Sequence, residues 1–417
     1  MNSITRSFII RICTLITGAI SNYFIATTIL ENFDQQGFAY YVIFSSLPAI
    51  IPFADLGLGS SLFNYFADRS KGRKSQNIVA EVFLLSCLLS SLFILGTTLF
   101  VVLLSKFTKM ISNFQQQDLY LGLGIISITY IGVPFSLAAK KMFAEERISS
   151  VFLIQGLIPP ITATLIYFLS AHPKATLEIL VIVPSLTYLA TTLLIFKLSG
   201  MYGHIARTNL EKFRKSARAS LNLGKWSLVV TTVTALVWQI PKYLIQLFGT
   251  TLEMTTYSLM SLFLIPGLSL TSVLATWHTT HIRRRDFKSS VSDMTRLSIK
   301  SSQYVSVLFS VAAFLGFQLL NQFGLATPDY RSQLIAFVAL ISCSTWLIPL
   351  AALTSAADLK WISIRIVPCF IFSSIVFSVL LKFNYNAALI TYTVVLSSLI
   401  RYFSKNRLSN LQDLGNL

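Results

Sequence analysis

The chain has 417 residues, of which 54% are hydrophobic and only 12% are charged. A soluble domain has about a quarter charged residues, and disordered or nucleic-acid-coating proteins need charge along the whole chain. The composition therefore excludes those classes and predicts that no nucleic acid is bound. The formal net charge of +17 indicates basic loops that face anionic membrane lipid.

Twelve apolar stretches are long enough to cross a membrane as helices, which requires about 20 mainly apolar residues. They lie near residues 5–30, 38–66, 78–104, 119–139, 149–170, 176–198, 225–249, 255–279, 297–320, 332–355, 361–381 and 387–403. We therefore predict an all-α polytopic membrane protein with about 12 transmembrane helices in two six-helix bundles. The bundles comprise residues 1–200 and 225–417, and residues 201–224 form a basic cytoplasmic linker between them.

The positive charges predict the orientation of these spans, because cytoplasmic loops carry an excess of Lys and Arg. With both termini in the cytoplasm, all but six of the 33 Lys and Arg residues fall in inner loops or at inner helix ends; the exceptions are Lys106, Lys109, Lys174, Lys242, Arg331 and Lys382. We therefore expect a multi-pass membrane protein with both termini in the cytoplasm.

The two halves of the chain show a weak internal repeat. Each half has a long span, a short polar outer turn and then a span with a Tyr near its start and a Pro inside it. These features are Glu31 to Gly37, Tyr40 and Pro48 in the first half, and Thr250 to Thr255, Tyr257 and Pro266 in the second. Two bundles with the same orientation favour alternating access to a cavity between them.

Several kinds of catalytic or metal site have no sequence signature in this chain. The Gly224-Lys225 pair is followed by Trp226 and does not complete a P-loop. The four cysteines lie in apolar stretches without metal-ligand spacing. His278 and His281 share a helix face without a carboxylate nearby, which is more typical of solvated side chains than of a zinc site. We predict that the chain is not an enzyme and has no cofactor.

Charged residues inside the spans are the candidate functional residues, because charge within a membrane is costly and often marks a transport pathway. Basic residues predominate: the candidates for binding an anionic head group are Lys242, Arg11, Arg365, Lys300 and Lys140. Asp55 lies deep in the second span and Glu81 near an end of the third, and both are candidates for ion coupling. For each basic residue singly, snorkelling to the interface is the favoured alternative; taken together, the basic bias favours a phosphate or diphosphate ligand.

Residues 20–70 carry a family pattern. Gly37 closes the first outer turn before Phe38-Ala39-Tyr40, and Asp55-Leu56-Gly57-Leu58-Gly59 runs on to Asn64-Tyr65. With the twelve-span topology, this pattern resembles the Wzx-type polysaccharide flippases of the multidrug/oligosaccharidyl-lipid/polysaccharide (MOP) superfamily. The resemblance implies translocation of an undecaprenyl-diphosphate-linked O-antigen or capsular repeat unit across the bacterial inner membrane. It also implies membrane lipid, a polysaccharide polymerase and chain-length proteins as partners.

The seventh span departs from this pattern. Members often carry an acidic residue followed by a basic one, whereas this chain reads Trp238-Gln239-Ile240-Pro241-Lys242-Tyr243 and keeps only the basic residue. The departure puts ion coupling through that acid in doubt. An ion-coupled multidrug antiporter of the same superfamily is the alternative function, and it requires acidic residues in the cavity. A glycan-polymerising membrane enzyme is a third hypothesis, and the short outer loops argue against it.

Overall fold

The structure is a computed structural model of the chain. It describes residues 3–50, 75–107, 116–144, 147–173, 175–201, 226, 228–230, 232–234, 236–237, 239–261, 264, 267, 291–322, 329–355 and 359–415. Within these ranges the chain forms helices and turns and contains no β-strand. The predicted all-α class is therefore confirmed.

Eleven α-helices can be bounded in the described residues. We number them α1 (Ser3–Ser46), α2 (Ser75–Phe107), α3 (Gln116–Ala144), α4 (Ile148–Gly156), α5 (Ile158–Ser170), α6 (Leu177–Leu198), α7 (Ile240–Phe248), α8 (Val291–Gln322), α9 (Tyr330–Ser355), α10 (Leu359–Leu381) and α11 (Tyr385–Gly415). A 3-10 turn at Leu47–Ile50 follows α1, and residues 251–261 are also helical.

Eight helical stretches among the described residues are long and apolar enough to span a membrane. The longest, Ile9–Ser46, supplies parts of two predicted spans because α1 is broken at Asp34. The fifth predicted span is broken into α4 and α5 at Leu157, directly before Ile158 and the Pro159-Pro160 pair. Proline cannot donate a backbone hydrogen bond and is tolerated in the first turn of a helix, so α5 starts afresh there. The linker at 201–224, Asp55 and the segment from Leu56 to Tyr65 lie outside the described residues.

The described helices group into two compact units. Unit 1 comprises Met1–Ser21 and Tyr40–Leu236, and unit 2 comprises Asn22–Ala39 and Val237–Leu417. In unit 1, α3 packs against α2 and α6, and α5 packs on α6. In unit 2, α9 packs against α8 and α11, and α10 packs on α11. The order of packing is the same in the two units, as two copies of one bundle require, while the predicted domain limits stay a prediction.

Both outer turns of the predicted repeat are closed by their own side chains. Asp34 has φ 61° and ψ −170°, which interrupts α1, and its Oδ1 accepts hydrogen bonds from the backbone N–H groups of Gln36 (2.7 Å) and Gly37 (3.0 Å). In the second half, the N–H of Thr250 donates to Glu253 Oε2 (2.8 Å) and the N–H of Glu253 donates to Thr250 Oγ1 (3.2 Å). The second arrangement is a capping box, so each turn starts a helix with satisfied backbone donors.

Unit 1 contains an unusually close approach between α1 and α4. A Cβ atom built on Gly156 would lie 2.3 Å from Cγ2 and 2.6 Å from Cβ of Thr14. Real Cβ atoms do not approach other atoms this closely, so the backbone of α4 rests on α1 only because residue 156 has no side chain. This contact holds the first arm of α1, which carries Arg11, against α4.

Candidate substrate-binding site

The backbone around Lys242 is shaped by Pro241. A proline has no N–H, so the carbonyl of Val237, four residues earlier, loses its helical donor. The hydroxyl of Tyr392, on α11, donates to this carbonyl over 2.7 Å. Residues 237 and 239 are in turn conformation and α7 begins at Ile240. The hydrogen bond from α11 thus satisfies the Val237 carbonyl at the break in the span, directly before α7 begins.

Lys242 lies in the first turn of α7 and is buried, with 7% of its surface exposed. It makes no hydrogen bond or ion pair with any residue that the structure describes. Nearby in sequence, Gln239 has a buried side-chain oxygen without a hydrogen-bond partner. Lys242 precedes Gly249, where α7 ends, by seven residues, which is about 10 Å of helix. The buried Lys242 side chain therefore lies well inside the end of α7.

Arg11 lies on the first arm of α1 in unit 1. Its guanidinium carbon is 4.8 Å from the ring centroid of Phe152, on α4, which is a cation–π contact. Its Nε is buried and has no hydrogen-bond partner. Arg11 precedes the break at Asp34 by about 35 Å of helix, so it lies near the end of this arm opposite the outer turn.

Sequence reasoning selected Lys140, whereas the structure buries its neighbour Lys141. Lys140 is half-buried, but Lys141 is 7% exposed and donates through Nζ to the carbonyl of Ser199, 2.7 Å away. Arg147 donates to the carbonyl of Leu198 over 3.3 Å. Both cations thus bind carbonyls at the carboxyl end of α6, where the helix dipole favours positive charge. The helical period was the missed signal, because Lys141 lies four residues after the buried Leu137.

The remaining predicted cations have different environments. The Arg365 guanidinium lies 4.4 Å from the ring centroid of Trp361, one turn earlier on α10. Lys300, on α8, is exposed. Their roles in binding a head group, like that of Lys140, stay predictions.

Among the described side chains inside the spans, acidic residues are fewer than basic ones. Glu81, on α2, is buried with 3% of its surface exposed, and its role in ion coupling stays a prediction. Sequence reasoning missed Asp118, in the first turn of α3, whose Oδ1 accepts a hydrogen bond from the hydroxyl of Tyr40 over 2.8 Å. This bond fixes the second arm of α1 against α3. The described residues contain no group of three or more His, Cys, Asp or Glu side chains that could hold a metal ion.

Each unit therefore carries a candidate cation, which is buried in the case of Lys242 and half-buried in the case of Arg11. Lys242 has no described hydrogen-bond or ion-pair partner, and Arg11 leaves one buried nitrogen unsatisfied. Such groups can bind an anion that supplies the missing charge and acceptors.

Comparison with known sequences shows one short similarity. No protein-family model matches the chain. A stretch of 122 residues is 29% identical to a Salmonella typhi protein named "Putative O-antigen transporter". The match covers 28% of this chain and 28% of that protein, so the chain aligns with little more than a quarter of the relative's length.

Comparison with solved structures extends over nearly the whole chain. A MOP superfamily transporter from Pyrococcus furiosus superposes with a TM-score of 0.68, at 13% sequence identity, over 98% of this chain and 96% of that one. A crystal structure of MATE in complex with MaL6 superposes with a TM-score of 0.65, at 12% identity, over 99% and 97%. At these identities the likeness concerns the fold. The chain therefore has the all-α fold of these membrane transporters, and the predicted resemblance is confirmed at the level of the fold.

Proposed function

We propose that the chain is a flippase that moves an undecaprenyl-diphosphate-linked oligosaccharide, an O-antigen or capsular repeat unit, across the bacterial inner membrane by alternating access. The observation that carries the proposal is the buried side chain of Lys242, which has no anionic partner among the described residues. Arg11, with its buried unsatisfied Nε, is a second candidate group, in unit 1 and at a different depth along its helix.

The energetics of burial support an anionic substrate. Burying a charge without a partner costs several kcal/mol, and inside a membrane such charges mark binding and transport pathways. A phosphate supplies both the opposite charge and several acceptor oxygens, so its binding offsets this cost. A cationic drug would add to the unfavourable charge.

The comparisons support the same proposal. The matched Salmonella typhi protein is named "Putative O-antigen transporter". The Pyrococcus furiosus transporter has a binding pocket of reverse polarity, which suggests a different function for that member of the MOP superfamily. Pocket polarity therefore differs among proteins of this fold, and the cationic groups of this chain favour an anionic lipid-linked glycan over a multidrug substrate.

The proposal includes the surroundings of the protein. Both termini lie in the cytoplasm, and a polysaccharide polymerase and chain-length proteins use the translocated glycan on the opposite side of the membrane. Asp55 and Glu81 are the proposed groups for coupling to an ion gradient, because carboxyl groups can bind and release a proton or Na⁺ during the cycle.

The test is to replace the buried cation with an apolar side chain of similar length. In K242M we expect surface polysaccharide and vesicle-assayed translocation of the lipid-linked oligosaccharide to fall by about tenfold or more, because a lost charge-assisted hydrogen bond is worth about 1.5–3 kcal/mol. Resistance to unfolding should stay equal or rise, since an unpaired buried charge has been removed. R11M should show the same loss of transport.

Lys382 provides the matched control. It is exposed and directly follows the last residue of α10. Its Nζ lies 5.9 Å from the ring centroid of Phe248. K382M removes the same charge and should leave transport unchanged. Normal polysaccharide in both K242M and R11M, at wild-type protein levels, would contradict the proposal. A deletion strain that is hypersensitive to cationic drugs but makes normal polysaccharide would instead support the multidrug antiporter.

A further inference from the structure

Two arginines of unit 2 share one indole ring. Arg365 and Trp361 lie one turn apart on α10, and the Arg365 guanidinium carbon is 4.4 Å from the Trp361 ring centroid. Arg407, on α11, reaches the same ring, with its guanidinium carbon 5.8 Å from the centroid. Two positive groups are thus held within 6 Å of a single aromatic ring, which draws an anion to this point.

A shallow pocket opens beside this group. It lies where the end of α9, the beginning of α10 and the last part of the α11 span come together in unit 2. Apart from Trp361 and Arg365, its lining is mostly apolar and includes Leu350, Ile362, Ile366 and Ile400, with the hydroxyl residue Ser404 at one side. Arg365 thus lies beside apolar side chains, a setting that suits an amphiphile better than a free inorganic ion.

The cluster lies where the spans of unit 2 meet the aqueous phase. The apolar span of α10 begins at Lys360, one residue before Trp361, and the span of α11 ends at Ser404, three residues before Arg407. Tryptophan is enriched at this depth, beside lipid head groups. The guanidinium groups therefore lie at the level of lipid phosphates.

A path for an acyl chain continues from Arg365 into the membrane. Phe372 follows Arg365 by seven residues and so lies on the same helix face; its side chain is 54% exposed. The neighbouring Ile364 and Ile371 are 52% and 51% exposed. An apolar strip of α10 thus runs from the cationic group towards the centre of the membrane.

The guanidinium of Arg365 is free to bind this ligand. It makes no hydrogen bond or ion pair within the described part of the chain, and its planar donors match a phosphate bidentately. Its cation–π contact with Trp361 restrains the guanidinium group. Snorkelling alone would place a single arginine at the interface, but it gives no reason for a second one on the same ring.

We propose that Arg365, Arg407 and Trp361 form a binding site for the phosphate head group of an anionic phospholipid such as phosphatidylglycerol, with its acyl chain along α10. The site is distinct from the buried cations proposed to bind the transported substrate, and it stands whether or not the chain is a flippase.

The experiment measures contact between Trp361 and lipid. The full-length protein and W361F are reconstituted into phosphatidylcholine nanodiscs that contain either brominated phosphatidylglycerol or brominated phosphatidylcholine at equal mole fraction. The difference in tryptophan fluorescence between the two proteins reports quenching at Trp361. We expect stronger quenching by the brominated phosphatidylglycerol, and loss of this preference in R365Q/R407Q.

The matched control is R296Q/R401Q, which removes the same charge from exposed arginines of α8 and α11 and should keep the preference. Equal quenching by the two lipids, or loss of the preference in the control as well, would overturn the proposal. So would displacement of brominated phosphatidylglycerol by an equimolar amount of undecaprenyl diphosphate, which would assign the site to the substrate.

Native mass spectrometry gives a second readout that needs no tryptophan substitution. After purification in the presence of phosphatidylglycerol, the wild type should retain one more of these lipid molecules than R365Q/R407Q. An equal number would overturn the proposal.

Discussion

The hydrogen bond between Tyr392 and Val237 can be removed by deleting one oxygen atom, in Y392F. Tyr392 is fully buried, and its hydroxyl is 2.7 Å from the Val237 carbonyl that Pro241 leaves without a helical donor. Phenylalanine keeps the ring and its edge-to-face contact with Phe377, whose centroid is 5.6 Å away. In Y392F the Val237 carbonyl therefore has no donor, because Pro241 has no N–H and the tyrosine hydroxyl is gone.

The expected loss follows from this accounting of donors. A buried backbone carbonyl left without a partner costs about 1–3 kcal/mol, so Y392F should lower the free energy of unfolding by that amount. P241A restores an N–H that can donate to the same carbonyl. In the P241A background, Y392F should therefore cost about 1 kcal/mol less than in the wild type, and this difference is the coupling energy of the double-mutant cycle.

The measurement is reversible unfolding of the four proteins in mixed detergent and SDS micelles, followed by circular dichroism. Y402F is the control, because Tyr402 is on the same helix but is 63% exposed, and its free energy of unfolding should be unchanged. An equal cost of Y392F with Pro241 and with Ala at that position would refute the reasoning, since the carbonyl would then not depend on the missing proline donor.

Three further changes test local features by the same unfolding measurement. G156A should destabilise the chain by about 1–3 kcal/mol through overpacking against Thr14. G124A is the control and should not destabilise it, because a Cβ added there meets nothing within 4 Å. Equal effects of the two changes would contradict the close approach of α1 and α4. K141M should lower the free energy of unfolding by about 1.5–3 kcal/mol, because the charge-assisted hydrogen bond to the carboxyl end of α6 is lost. K140M should lower it clearly less. The reverse order would show that Lys140 is the lysine that stabilises the fold. D34A should lower the free energy of unfolding by about 0.5–2 kcal/mol, because the cap is lost while the positive φ remains. D34G should lower it less, because glycine relieves the strain of the positive φ. A larger loss in D34G than in D34A would contradict this account.

Local signals predicted most of the fold. The outer turns at Glu31 to Gly37 and Thr250 to Thr255 were expected from polar residues between apolar spans, and the structure closes them with Asp34 and Glu253. The predicted span at 149–170 is broken directly before the Pro159-Pro160 pair, and proline chemistry explains this local difference. These features depend on neighbours in sequence, so the sequence alone contained the information.

Partners that are distant in sequence could not be predicted. Tyr392 lies 155 residues from Val237, and Lys141 lies 58 residues from Ser199. Both depend on which helices pack together and at what height, and the apolar pattern of a span does not specify its neighbours. The burial of Lys141 rather than Lys140 could have been predicted, because the helical period of the buried residues in α3 distinguishes the two positions.

The self-contained closure of the two outer turns has a consequence for biogenesis. The donors and acceptors that close each turn are at most three residues apart, so a hairpin of two spans can form as soon as its second arm leaves the ribosome. Synthesis can therefore deliver spans to the insertion machinery as pairs whose turn is already shaped, before any distant helix exists to pack against them. Mutations at Asp34 or Glu253 should accordingly impair insertion yield more than they impair the mature protein.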